Sequence, residues 1–317
     1  MIIRTINATS NKFKMVVVTV LGIAQDGGRP QPSCYKSCCS NLTLADVRYP
    51  VALGVVNGTT IHLFETSRYL GEQLRFLWKL PASNISENID HVWITHAHWG
   101  HIDGLGLFGR ETMNCKGVRL HVSESMASLI RRTPSWNAMV EQGVFIMDIF
   151  PNSAHKKAVF RSALNQTTLD SSTLSIEPIS IPHRAELSDT HAFIIRGPSK
   201  SLLFLPDHDS WEKTLSFHQC TSIRNFLKSF RIDIALIDGT FWSYDELGNI
   251  RDQSQVPHPP ISETINLLGT RKPEQDPLIY FTHLNHTNPL YDTSSVQYKT
   301  LFEMGWDVAH QGMTFAL

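Results

Sequence analysis

Val92-Trp93-Ile94-Thr95-His96-Ala97-His98-Trp99-Gly100-His101 decides how this chain is read. A short apolar run ends in three histidines within six residues. If the backbone stays extended past Ile94, His96 and His98 project to the same side, because strand side chains alternate with a period of two. His101, beyond a glycine, can fold back toward them. Burying three imidazoles in an ordinary core is costly, since each ring nitrogen would need a partner, so the pattern points to metal ligation.

The same arrangement recurs downstream. Ile176–Pro182 runs into His183, Leu202–Pro206 into Asp207-His208-Asp209, and Ile279–Thr282 into His283 with His286 close behind. Apolar runs that each end in a ligand-type side chain place those groups at one rim of a sheet, where α/β folds hold ligands.

The rest of the chain supplies the scaffold. Strand-like runs are Val16–Ala24, Val51–Val56, Thr60–Glu65, His91–Thr95, Val118–Val122, Val144–Ile149, Leu174–Ile181, Ala192–Arg196, Ser201–Leu205, Ile232–Ile237 and Leu278–Thr282. Helical periodicity marks Arg68–Leu80, Ser123–Arg132, Ile223–Phe230, Ile261–Leu268 and Ser294–Met304. No linker divides the halves, so residues 15–317 are expected to form one α/β domain of two sheets packed face to face with helices outside, behind a polar segment at 1–14.

Composition narrows the function. In 317 residues, 28 Lys and Arg face 29 Asp and Glu, and charged residues make up 18%. This balance gives no electrostatic reason to expect nucleic acid or an anionic membrane as partner, and a small-molecule substrate is expected instead. Oligomeric state is left open. Five cysteines are too few for a disulfide framework in a chain of this length. The apolar run from Val16 is too short to span a bilayer, and a cytoplasmic protein is expected. The 15 histidines are the outlying number, and most of the site residues come from among them.

His96-Ala97-His98-Trp99-Gly100-His101 resembles the HxHxDH signature of the metallo-β-lactamase superfamily, whose further ligands follow in the order His, Asp, His, as His183, Asp207 and His283 do. Val20-Leu21-Gly22, Gly27-Gly28-Arg29-Pro30-Gln31, Leu236 to Trp242 and Thr287-Asn288-Pro289 are similar to the set of relatives around the B protein of pyrroloquinoline quinone biosynthesis. The resemblance implies a four-layer αβ/βα sandwich. It also implies a first metal held by His96, His98 and His183, a bridging Asp207, and a second metal held by His101 and His283. Gly100 stands where the signature has an aspartate, so one firmly held Zn2+ and a weakened second site are expected; Asp103 could substitute only if the turn is rebuilt. Fe2+ and Mn2+ suit the same donors.

On this reading the protein is a metal-dependent hydrolase that uses a metal-activated water on a small ester- or phosphodiester-type substrate, with Asp207, His258 and Asp238 as catalytic groups. An iron-dependent oxidation, and a non-catalytic metal or carrier protein, are the alternatives. Cys34, Cys38 and Cys39 stand where the resemblance places a structural metal with a remote fourth ligand; free thiols are the other reading. His191, His208 and His286 are contested neighbours of the site. His62, His91, His121, His155, His218 and His310 are expected to be ordinary polar residues. Trp99 and Trp242 are candidates for a pocket wall.

Overall fold

The computed structural model describes residues 16–79, 88–150, 160–161, 174–248 and 252–317; the N-terminal segment 1–14 and His155 lie outside them. The strands are β1 (Val16–Gly22), β2 (Ala52–Asn57), β3 (Thr60–Phe64), β4 (His91–Trp93), β5 (Val118–Ser123), β6 (Phe145–Phe150), β7 (Phe160–Arg161), β8 (Ser175–Ile181), β9 (Thr190–Arg196), β10 (Ser201–Leu205), β11 (Ile234–Asp238), β12 (Leu278–Thr282), β13 (Asp307–Val308) and β14 (Thr314–Ala316). They form two seven-stranded sheets, ordered β14-β1-β2-β3-β4-β5-β6 and β13-β12-β11-β10-β9-β8-β7.

Burial explains why most strands read as continuous apolar runs. Along β11, Ile234 and Leu236 face the space between the sheets, while Ala235 and Ile237 face outward under helices. The inter-sheet layer holds Val18, Phe64, Trp93, Phe193, Phe204 and Leu236. The outer layers bury Leu70, Leu74 and Leu77 from one helix on the first sheet, and Ile223, Phe226, Ile261 and Ile265 on the second. Strands covered on both faces need apolar residues at every position. The result is the four-layer sandwich expected from the sequence.

Strand direction then positions the site. β10, β11 and β12 run parallel. Two antiparallel steps through β9 give β8 the same direction. In the other sheet β3 and β4 are parallel, and two antiparallel steps through β2 align β1 with them. The residues that follow β1, β3, β4, β8, β10, β11 and β12 therefore leave the sheets in a common register of directions, at one rim.

Some elements differ from the sequence reading. The expected helix 68–80 spans Leu70–Leu77, and that at 294–304 spans Val296–Glu303, its N-terminus capped by the Ser295 side chain accepting from Tyr298 N. Helices Pro134–Glu141 and Trp211–Phe217 and the edge strands β13 and β14 escaped notice, being short and weakly periodic.

Candidate metal centre

Past β4 the chain bends at Thr95 and again at His98, whose own backbone is extended, and then turns into a short helix, Trp99–Ile102. This stretch brings His96 Nε2 within 2.7 Å of His98 Nδ1. The helical turn brings back the His101 ring, its centroid 4.2 Å from that of His96. His183, after β8, stands 5.4 Å from the His96 ring and 5.2 Å from the His98 ring. The Asp207 carboxylate, after β10, lies between the two groups: Oδ1 is 3.8 Å from His183 Nε2, while Oδ2 is 3.3 Å from His101 Nε2 and 3.5 Å from His283 Nε2.

Four of the five rings face a partner from behind. Thr95 Oγ1 contacts His96 Nδ1 at 2.8 Å, and Thr240 Oγ1 contacts His283 Nδ1 at 2.8 Å. Asp209 Oδ1 faces His183 Nδ1 at 3.3 Å, and Glu65 Oε1 faces His101 Nδ1 at 3.4 Å. For His96 and His283 the hydroxyl contact fixes the tautomer and aims Nε2 into the site, whereas His101 Nδ1 and His183 Nδ1 face their carboxylates without a hydrogen bond. Glu65 was not foreseen; it is fully buried just past β3, with a left-handed φ of 67°, and accepts from Thr95 N at 3.3 Å. A glutamate in that backbone conformation at a strand exit is uncommon and is held by its surroundings.

The donor set fits a cation. Nε2 of His101, His183 and His283 and Oδ2 of Asp207 are buried without a hydrogen-bond partner, an arrangement costly in a core and ordinary for metal ligands. Burial holds His96 well below its usual pKa and takes His98 down to about 4, keeping both neutral as ligands must be. Burial would raise Asp207, but the surrounding imidazoles, His283 and His101 foremost, outweigh it and keep the carboxyl ionised. Ligand atoms within 4.8 Å of one another group as His96, His98 and His183, as Asp26, His101 and His283, and as His183, Asp207 and His258.

Asp26, in the loop after β1, also went unnoticed in the sequence. Its Oδ1 is 3.3 Å from His101 Nε2 and 3.6 Å from His283 Nε2, so a carboxylate does stand beside Gly100. Asp103 does not take that place: it pairs with Arg68, Nε to Oδ2 at 2.6 Å, and accepts from Arg68 N at 2.8 Å.

On the far wall, His258 in the loop before helix Ile261–Leu268 brings Nδ1 to 2.6 Å from Asp238 Oδ2, and its Nε2 faces Asp207 Oδ1 at 3.9 Å. Burial disfavours the His258 imidazolium, but the Asp238 charge and hydrogen bond outweigh it and raise its pKa. The contested histidines go elsewhere. His208 Nδ1 pairs with Thr214 Oγ1 at 2.9 Å, and His191 Nε2 lies 3.3 Å from Ser180 Oγ. His62, His91 and His121, expected to be ordinary polar residues, are stacked on one another beside Trp93, His91 Nδ1 being 2.9 Å from His121 Nε2.

His286 belongs to a second cluster. Its Nδ1 is 3.6 Å from Cys38 Sγ and 3.4 Å from Cys39 Sγ, and Cys34 Sγ is 3.8 Å from Cys38 Sγ. Three thiols and an imidazole thus gather within metal-ligand reach, with the remote fourth group supplied by the segment after β12. Trp99, 65% exposed, lines a cavity of about 360 Å³ with Ala97, Ile102, Trp136, Met139 and Leu187, whereas Trp242 packs against the outer core of the second sheet.

A model of the β-lactamase superfamily domain matches residues 63–283, and the chain belongs to that superfamily. Within it, the chain is similar to coenzyme PQQ synthesis protein B of Xanthomonas campestris pv. campestris, 26% identical, with 95% of this chain and 99% of that protein covered. Zn(2+)-bound PqqB from Methylobacterium extorquens superposes with a TM-score of 0.68 at 20% identity over 95% of this chain and all of that one. A diphosphatase of the PhnP family gives 0.62 at 17%, covering 96% and 97%. Among the described residues no helix is long and apolar enough to cross a membrane.

Proposed function

We propose that this protein is a zinc-dependent hydrolase of small ester- or phosphodiester-type substrates. The observation that carries the reading is the convergence of His96, His98, His183 and Asp207 at the rim, beside the hydrogen-bonded pair His258–Asp238. The Zn2+ bound by the Methylobacterium PqqB and the diphosphatase name of the PhnP relative agree with it. Zn2+ held by these residues would supply a water ionised near neutral pH and a Lewis-acidic contact for the scissile group.

The chain's own residues supply the rest. Asp238 accepts a hydrogen bond from His258 Nδ1, which leaves Nε2, on the Asp207 side, to hold a proton for the leaving oxygen. Asp207, between the imidazoles, orients the nucleophile's side of the site. The apolar cavity walled by Trp99, Trp136, Met139 and Leu187 begins at the His96–His98 segment and takes up the substrate's apolar portion, excluding water from it. The cluster of Cys34, Cys38, Cys39 and His286 holds a structural Zn2+, which ties the loop after β1 to the loop after β12.

Turnover of aryl phosphodiesters and aryl esters by zinc-loaded protein tests the reading. His98→Ala is expected to lower kcat/KM by about 100-fold or more while leaving the fold intact by circular dichroism. Turnover indifferent to His98→Ala, or gained only with Fe2+ and oxygen, would overturn it in favour of adventitious activity or of oxidative chemistry.

A further inference from the structure

We propose that Asp26 supplies the carboxylate arm of a second metal position formed with His101, His283 and Asp207, replacing from the β1 exit loop the acidic residue that the chain lacks at Gly100. The assignment rests on the metal-centre reading above.

The geometry is that of an exchange. A Cβ at position 100 would sit 2.4 Å from Asp26 Cα and 2.7 Å from its Oδ1, distances no pair of atoms tolerates. A side chain at 100 and the present path of the Asp26 backbone exclude each other, so glycine at 100 admits the carboxylate from another element. Asp26 Oδ1 reaches the Nε2 atoms of His101 and His283 at 3.3 and 3.6 Å, and the same two atoms face Asp207 Oδ2 at 3.3 and 3.5 Å. Two imidazoles and two carboxylates thus surround one point, with the imidazole nitrogens otherwise without hydrogen bonds.

The loop is built to hold this position. Gln25 N donates to Leu284 O at 2.9 Å, directly after His283, and Gly28, at φ 71°, donates to Gln25 O at 2.7 Å. Asp26 is thereby fixed in register with the histidine it faces, and Asp207 offers one oxygen to each side of the centre. The consequence is a two-ion site despite the altered signature, with the second ion tying the β1 loop to the His101 turn.

Zinc titration of metal-free full-length protein, followed by elemental analysis, tests the proposal. Wild type should hold one equivalent more than Asp26→Asn at matched free zinc; because the comparison is a difference, ions at the cysteine cluster cancel. Outer partners of metal ligands alone are worth 10–100-fold in affinity, so the last ion should bind at least about 100-fold more weakly in the variant. Zinc anomalous diffraction from wild type should place an Asp26 oxygen about 2.0–2.2 Å from an ion. Equal zinc content and affinity in wild type and Asp26→Asn, or an Asp26 carboxylate remote from every ion in the wild-type crystal, would overturn the proposal. Wild type that holds both ions yet hydrolyses nothing would instead overturn the hydrolase reading and leave the ligand assignment standing.

Discussion

Asp238 shows how much one side chain can carry at this rim. It accepts from His208 N at 3.1 Å, from Thr240 N at 2.9 Å and from Thr240 Oγ1 at 2.8 Å, and it fixes His258. Burial alone would raise its pKa; the His258 imidazole and its hydrogen bond outweigh that and hold the carboxyl far below its usual range. Asp238→Asn keeps the shape but removes the charge that favours the His258 imidazolium, leaving a neutral ring that is a poor proton donor to the leaving oxygen. The expected outcome is a fall in kcat on the order of 100-fold with KM little changed and a displaced pH profile, read by steady-state kinetics. A purely structural role would lower the melting temperature without moving that profile.

Among the elements, helix Ile223–Ser229 is fastened to the approach to β12 by Arg224. Its guanidinium meets Asp276 through Nε to Oδ1 at 2.6 Å and Nη2 to Oδ2 at 2.8 Å, and it also donates to the Leu268 and Thr270 carbonyls. Arg224→Leu should cost roughly 2 kcal/mol near pH 7, measured by urea unfolding. The pairing holds Asp276 below its usual pKa, so its contribution is complete above about pH 4 and is lost as pH falls through the lower folded value. The gap between wild type and Arg224→Leu should therefore narrow as pH falls below the ordinary carboxylate range, without vanishing, since the bonds to the Leu268 and Thr270 carbonyls do not titrate; a gap unchanged across that range would show that the carboxylate's charge is not involved.

At the scale of the whole molecule, the C-terminus closes the first sheet. β14 pairs antiparallel with β1, Leu317 N donates to Val16 O at 2.9 Å, and Phe315 and Leu317 enter the inter-sheet core. Because β1 also carries the loop of Asp26, the last strand supports the rim from the opposite end of the chain. Truncation after Met313 exposes an edge of β1 and removes two buried side chains, and several kcal/mol of stability should go with them. Calorimetry of the truncated protein should show a single transition at lower temperature with zinc retention weakened. An unchanged melting temperature would mean that β14 contributes nothing to the global unit.

What the sequence determined by itself was local. The close spacing of His96 and His98 after an apolar run set them together, and apolar runs ending in His183, Asp207 and His283 announced a rim, because burial on both faces is written in consecutive residues. The tertiary structure decided what depends on strands far apart in the chain. Asp26 and His101 are separated by the whole of β2, β3 and β4 and meet only because β1 and β4 run the same way in one sheet. Glu65 reaches His101, and His286 reaches Cys39, by the same kind of convergence. The glycine at 100, which in sequence reads only as a lost ligand, becomes in the fold the space that a distant carboxylate occupies.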